Sequence, residues 1–232
     1  RDPEMSRGLG DVYKRQSWNK ELVSYLQSTM PQYAFYLISQ KEDFTVERIG
    51  SISPVKIFIP HWSYIIPSAI FERYECIVFH MTDLPYGRGG SPLQNLIVRG
   101  LTATKLSALR VEVGLDTGPV YLKMDLSLSG TAEEIFVRVN KLVGKMIVEI
   151  IQNNLQPVPQ EGDPVVFKRR KPEQSDMSGL EKLEEIFDYI RMLDADGYPH
   201  AYIEKGEFRY EFTRASIKAD GSIVADVKIT KK

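Results

Sequence analysis

The order of this chain predicts an α/β fold: a doubly wound, mostly parallel sheet, then a small C-terminal unit of one helix and several strands. Three observations carry that prediction. Short apolar runs alternate with helix-compatible segments through the first part of the chain, the arrangement that builds parallel sheets. One long aliphatic stripe at helical spacing follows, from Ile135 to Ile151. The tail then changes to strand alternation broken by glycine turns.

The elements follow in order. RDPEMSRGLGDVYKRQ, residues 1–16, shows neither helical nor strand periodicity and resembles translated sequencing adaptor. It is set apart as a foreign leader, with the natural first strand expected to be missing. In SWNKELVSYL, Ser17 is placed to cap a helix carrying Leu22, Val23 and Leu26 on one face. AFYLIS (34–39) reads as a buried strand, FTVERIG as a short helix ended by Gly50, and VKIFIP (55–60) as a strand closed by Pro60. SAIFERY is helix-compatible, and CIVFHM (76–81) is a third strand. After a glycine-rich turn, PLQNLIVRG predicts a helix ending at Gly100. ATKLSALRVE and PVYLKMDLSL predict two strands joined by GLDTGP.

Thr131 with Glu134 forms a capping-box pattern. It opens the helix whose Ile135, Val139, Leu142, Val143, Met146, Ile147, Ile150 and Ile151 make one apolar stripe, read as core. Residues 156–179 are polar and proline-containing and read as a linker crossing the surface. Ser178 with Glu181 repeats the capping pattern and starts a helix carrying Leu180, Leu183, Ile186, Phe187 and Ile190. AYIEKGEFRYEFTRASI and SIVADVKI then alternate as strands, with turns at Lys-Gly and Asp-Gly. The division expected is a leader at 1–16, the main α/β domain at 17–155, the linker at 156–179 and a small α+β subdomain at 180–232.

Composition narrows the function classes. With 43% hydrophobic and 26% charged residues, the chain has ordinary globular composition. A net charge of −1 supplies no general attraction for phosphates, so no nucleic-acid partner is expected, and Lys168-Arg169-Arg170-Lys171 reads as a solvated loop. Cys76 is the single cysteine, which leaves no internal disulfide and makes a cytoplasmic location the expectation. No apolar run reaches about 18 residues, so no membrane span is expected. Metal-ligand spacing, a nucleophile elbow and a P-loop are all absent from the sequence, and no metal is expected.

Ligands of doubly wound sheets bind at the carboxyl ends of strands. His80 sits at such an end, before the turn containing Gly87, Gly89 and Gly90, and Asp116 sits in the LDTGP turn. An imidazole beside a carboxylate suits proton transfer near neutral pH. Each residue also has a bland reading, the histidine as a structural group and the aspartate as a turn former.

The order His80, Leu84-Pro85, Arg88-Gly89, Pro92, Leu115-Asp116-Thr117-Gly118-Pro119 resembles the folate-dependent formyltransferase family. The likeness runs on through VVFKRRKPEQSDM and LEEIFDYIRMLDADGYPHAYI, and so extends from Ser17 to about Glu207. It implies a formyltransferase-like Rossmann variant whose catalytic domain is 17–155. It also implies N10-formyltetrahydrofolate as cosubstrate and a primary amine as acceptor. His80 and Asp116 then handle the proton, and an asparagine stabilises the oxyanion.

By the same analogy the pterin lies against Ile65-Ile66-Pro67 and against Leu115, Thr117 and Gly118, while Thr82 stands near the family's serine. The family's asparagine position, two residues before the histidine, is Val78 here. His61, Ser63 and Asn95 are the replacement donors, Trp62 a stacking surface and Arg88 a substrate contact. The short tail and slightly acidic balance favour a small acceptor, a nucleotide-linked amino sugar of surface-polysaccharide synthesis, over transfer RNA. A homodimer is admitted. The rivals are an inactive folate or sugar-nucleotide binding homologue, which Val78 motivates, a formyltransferase acting on aminoacylated transfer RNA, and a formyl-folate hydrolase.

Overall fold

The computed structural model describes residues 9–60 and 65–232, with side chains of the first helix described from Asn19 onward. Helix α1 (Leu9–Thr29) starts at Leu9 rather than at Ser17, so the second half of the segment set apart at 1–16 forms its opening turns. Residues 1–8, and the expectation of a foreign segment there, lie outside the described residues. Leu22, Leu26 and the following Met30 turn inward and are buried, as the spacing requires.

The central sheet has four strands in the order β1 (Lys56–Ile59), β2 (Glu75–His80), β4 (Ala103–Arg110), β5 (Val120–Ser127). The parallel relation expected of the sheet holds for β1 and β2, which are joined through α3 (Ser68–Phe71). β4 runs antiparallel to both β2 and β5. For β4 and β5 the reason lies in their connection, residues 111–119. A parallel return needs roughly a dozen residues or more, and this segment is shorter.

Around the sheet the mixed α/β class stands as expected. α5 (Ala132–Gln152) begins with both capping-box bonds, Glu134 N donating to Thr131 Oγ1 and Thr131 N donating to Glu134 Oε2. Its inner stripe joins Ile77, Leu106, Ala108 and Leu126 of the sheet in the main core. The other face carries a smaller core of Ile49, Ile59, Ile66, Ile70 and Cys76 beneath α2 (Val46–Ile52) and α3. β2 supplies both cores by alternation, Ile77 and Phe79 to one face, Cys76 and Val78 to the other. His80 shares the face of Val78.

Several segments differ from expectation. AFYLIS (34–39) forms no strand, because among the described residues no strand pairs with it. α2 runs past Gly50 to Ile52, where Ser53 closes it in the left-handed conformation. The glycine turn contains a strand, β3 (Tyr86–Gly89), which pairs in parallel with β6 (Val165–Phe167) from the segment read as a linker. That segment also bridges back to β5 through Val158 and Val120. α4 (Pro92–Ile97) follows β3. α6 (Leu183–Leu193) starts at Leu183, and Ser178 bonds Asp176 instead of capping it.

The tail is the expected unit of strands with α6, and its β7 (Ala201–Lys205), β8 (Phe208–Ile217) and β9 (Ile223–Lys231) pair antiparallel. Among the described residues, no helix is long and apolar enough to cross a membrane.

Candidate functional site

Four short segments meet at the carboxyl end of β2. Val111 donates its N–H to Cys76 near the start of that strand, at 2.8 Å. Asp116, five residues on, touches His80 at the strand's other end. Four residues of strand cover about 13 Å, so the 111–116 loop doubles back along β2. That path, which no local pattern announces, brings the histidine and the carboxylate together.

His80 Nε2 lies 2.8 Å from the Gly87 carbonyl oxygen. A carbonyl only accepts, so Nε2 carries a proton, and Nδ1 is the atom left to take one. Nδ1 stands 3.6 Å from Asp116 Oδ2, too long for a hydrogen bond but close enough to balance an imidazolium. The two side chains are 10% and 16% exposed, which keeps their charges poorly screened while leaving an approach open.

Asp116 is held from two sides. Its Oδ2 accepts the Gly89 N–H at 2.9 Å, and its own backbone sits in the left-handed region at φ 53°. Gly89 (φ 104°) is obligatory here, because a Cβ there would lie 2.4 Å from the Phe167 carbonyl oxygen of β6. Only glycine lets β3 lie close to β6 with its amide toward Asp116.

The turn before β3 is fastened by buried and partly buried polar contacts. Ser107 Oγ donates to the Thr82 carbonyl at 2.6 Å, and Thr82 Oγ1 donates to Gly87 O at 3.4 Å. Lys123 Nζ reaches Asp83 at 2.5 Å and also bonds the Leu84 carbonyl. Thr82 therefore holds the turn, in a role shared with Ser107 and Lys123.

Gln160 completes the frame from the connecting segment. Its Nε2 donates to the Asp116 and Gly118 carbonyls, both at 2.8 Å, and its Oε1 accepts from Arg88 Nε at 3.1 Å and from an Arg88 terminal nitrogen at 2.8 Å. Arg88, expected as a substrate contact, is thus engaged within the frame. Gln160 and Ser107 escaped the sequence reading, since neither belongs to a motif or a periodic pattern.

The remaining expected residues separate. Asn95 does not offer a free amide donor, because its Nδ2 is spent on the Gly90 and Lys168 carbonyls, each at 2.9 Å. His61, Trp62 and Ser63 lie outside the described residues. Val78 packs among Leu84, Leu109 and Val120, so an apolar group fills the place of the family's asparagine. Ile66 is buried in the smaller core, whereas Ile65 is 95% exposed and Pro67 is also exposed. In the Asp116 loop, Val113, Leu115 and Thr117 are exposed, the Thr117 hydroxyl donating to Val113 O, and Gly118 is buried. Burial, with a smaller contribution from Glu75, pushes the Cys76 thiol up to about 12, which removes it as a nucleophile.

A second feature borders the same frame. A cavity of about 480 Å³ is lined by Asn95, Arg99, Lys168, Arg169, Arg170 and Lys171, with Val166 and Gln174, and by no carboxylate. Asn95 links it through Gly90 to β3, whose Gly89 binds Asp116. Lys168, Arg169 and Lys171 are exposed, as a solvated loop requires, and form a cationic wall beside β3.

Comparison with known proteins fits this picture. A family model described as the methionyl-tRNA formyltransferase C-terminal domain matches residues 172–230. The methionyl-tRNA formyltransferase of Rickettsia felis is 30% identical over 169 residues, covering 70% of this chain and 55% of that protein. The solved structure of the methionyl-tRNA formyltransferase from Clostridium thermocellum is 51% identical, with a TM-score of 0.89, covering 93% of this chain and 96% of that one. HypX from Aquifex aeolicus, solved in complex with tetrahydrofolic acid, shares the fold at 18% identity and a TM-score of 0.61, over 75% of this chain and 31% of that one. The chain spans about half the length of the curated relatives it matches.

These likenesses overturn the expectation of a sugar-nucleotide acceptor and no nucleic acid. The family model and the relatives at 30% and 51% identity all carry the name of a tRNA-modifying enzyme. The inference failed physically because net charge averages the whole surface. The cations gather on one wall, so the overall balance does not speak against a polyanionic partner.

Proposed function

We propose, from the premise that this chain belongs to the formyltransferase family, that it transfers the formyl group of N10-formyltetrahydrofolate to the amino group of methionyl-tRNA. The observation that carries the chemistry is the His80–Asp116 pair, with Nε2 committed to Gly87 and Nδ1 left to accept a proton.

The bound cosubstrate supplies an activated one-carbon unit on nitrogen. Val113 and Leu115, exposed in the loop that ends at Asp116, offer apolar surface for its flat ring system. His80 Nδ1 takes the proton that the attacking amine sheds and yields it to the departing nitrogen, so no bond to the chain forms. Asp116 balances the imidazolium during that interval. The acceptor assignment rests on the relatives and on the cationic wall of Arg99, Lys168 and Lys171, which suits a phosphate backbone.

The test is transfer of labelled formyl to methionyl-tRNA by the wild-type chain and by His80→Ala. Loss of proton transfer costs roughly 10²–10⁴ in rate. A variant that matches the wild type removes His80 from the mechanism. Val78 in the asparagine position favours one second reading, a homologue that binds the folate without transfer. Folate binding with neither formyl-tRNA nor formate produced would establish it.

A further inference from the structure

We propose that Gln160 is a positioning residue that sets the Asp116 carboxylate against His80, with Arg88 orienting it; this rests on the transfer reading above. Each hydrogen-bonding atom of the Gln160 amide is engaged. The nitrogen uses both protons on the Asp116 and Gly118 carbonyls, and the oxygen accepts twice from Arg88. Carbonyls cannot donate and a guanidinium cannot accept, so the amide has one possible orientation. Among the charged side chains, glutamate has the same shape as glutamine but no donor, which makes it the informative replacement.

The frame needs such a tie. Asp116 holds a left-handed backbone conformation, at φ 53°, that costs a side-chain-bearing residue free energy unless its surroundings impose it. Within its own loop, the turn is closed by Thr117 Oγ1 on Val113 O and by Arg110 N on Pro119 O. Neither bond touches the Asp116 backbone. Gln160 does, and it reaches the turn from a segment fixed to β5 by the paired Val158 and Val120 bonds of 2.8 and 2.9 Å. Arg88, in the same strand as Gly89, joins the donor of the Asp116 carboxylate to the anchor of the Asp116 carbonyl. The side chain and backbone of one residue are thereby referred to a single strand.

The role differs from general support of the fold. Gln160 touches none of the atoms that exchange the proton, so it acts through Asp116. Its loss is expected to slow the chemical step far more than it weakens folate binding, because the exposed apolar side chains of Val113 and Leu115 can follow a small shift that proton transfer does not tolerate. In Gln160→Glu, a carboxylate faces two carbonyl oxygens and the turn must move away. A displacement of about 1 Å at a reacting group costs on the order of a hundredfold.

The experiment compares the wild-type chain with Gln160→Glu and with Gln160→Met, which keeps the length but has no hydrogen-bonding amide. The measurements are kcat and KM for formyl transfer to methionyl-tRNA, the Kd for 5-formyltetrahydrofolate, and a crystal structure of each variant. The expected result is a kcat lower by about 10- to 100-fold with the folate Kd within about threefold. In the variant structures the Asp116 carboxylate should have left the Gly89 amide. An unchanged kcat overturns the proposal, as does a parallel collapse of kcat, folate binding and melting temperature in both variants. If the wild-type chain transfers no formyl group, the transfer reading itself falls. The crystal structures then still decide on Gln160, because Asp116 remaining on the Gly89 amide in both variants overturns its positioning role.

Discussion

Gly118→Ala tests the geometry of the Asp116 turn through a single methyl group. An added Cβ at Gly118 would stand 1.8 Å from the Arg110 carbonyl oxygen and 2.9 Å from its carbon, where real Cβ contacts stay beyond 3.0 Å. The obstacle is backbone in β4, whose Arg110 pairs with Ile77 of β2, and its N–H bonds Pro119 O at 2.9 Å. No flexible side chain can yield, so the turn itself must retreat by about 1.2 Å, the difference between those two separations.

Gly118 O accepts from Gln160, and Asp116 lies two residues away, so the retreat carries the carboxylate with it. A shift of that size at a reacting group costs on the order of 10² in kcat. Overpacking of this kind costs about 1–3 kcal/mol of stability, and each kcal/mol lowers Tm by roughly 2–4 °C at this chain length. Steady-state formyl transfer and thermal unfolding of Gly118→Ala read both quantities. A variant with kcat within twofold of wild type and an unchanged Tm would show that the turn is not a rigid part of the site.

Three further outcomes are expected. Thr131→Ala removes one half of the α5 capping box, whose Glu134 N–H bond is 3.3 Å long; thermal unfolding should show a loss of about 1 kcal/mol, with transfer unaffected. Burial would raise the Glu75 carboxyl, but hydrogen bonds from Lys56 and the Tyr121 hydroxyl outweigh it and hold the group below its usual 4.5. Its contribution is therefore present above pH 4.5 and is lost as pH falls through the lower folded-state value, so the stability gap between wild type and Glu75→Gln, measured by denaturant titration, should narrow on acidification. Lys168→Glu and Lys171→Glu should each weaken methionyl-tRNA binding and flatten its salt dependence by about one unit of log–log slope, leaving 5-formyltetrahydrofolate affinity unchanged, as filter binding across a salt series would report.

How much of this was legible in the sequence varies from element to element. α5 was readable because its cap bonds and the spacing of its stripe are local, repeating within three or four positions along the chain. β1, β2, β4 and β5 were readable as short apolar runs. AFYLIS carries the same composition and forms no strand, because a strand also needs a neighbour with free backbone groups. β3 was hidden, since YGRG has the composition of a turn and becomes a strand only where β6 lies beside it. The capping pattern at Ser178 misled, because Asp176 takes the hydroxyl first.

The site divides in the same way. His80 and Asp116 were nameable because each sits in a motif, and the structure places them 3.6 Å apart. Asn95 was named for its chemistry, but its amide is consumed by two carbonyls that the sequence puts five and 73 residues away. Gln160 lies 44 residues from the carbonyl of Asp116 that it holds, and no spacing rule reaches that far.

By itself the sequence determined the candidate site residues, the long helix α5, and the family the motifs resemble, because these depend on neighbours a few positions apart. The tertiary structure decided the direction of β4, the return of the Asp116 loop along β2, the Gln160 frame, and the gathering of Arg99 with Lys168 and Lys171 into one cationic wall. Those features arise where distant segments meet, and electrostatic and hydrogen-bond energies act over distances in space, not over positions in the chain.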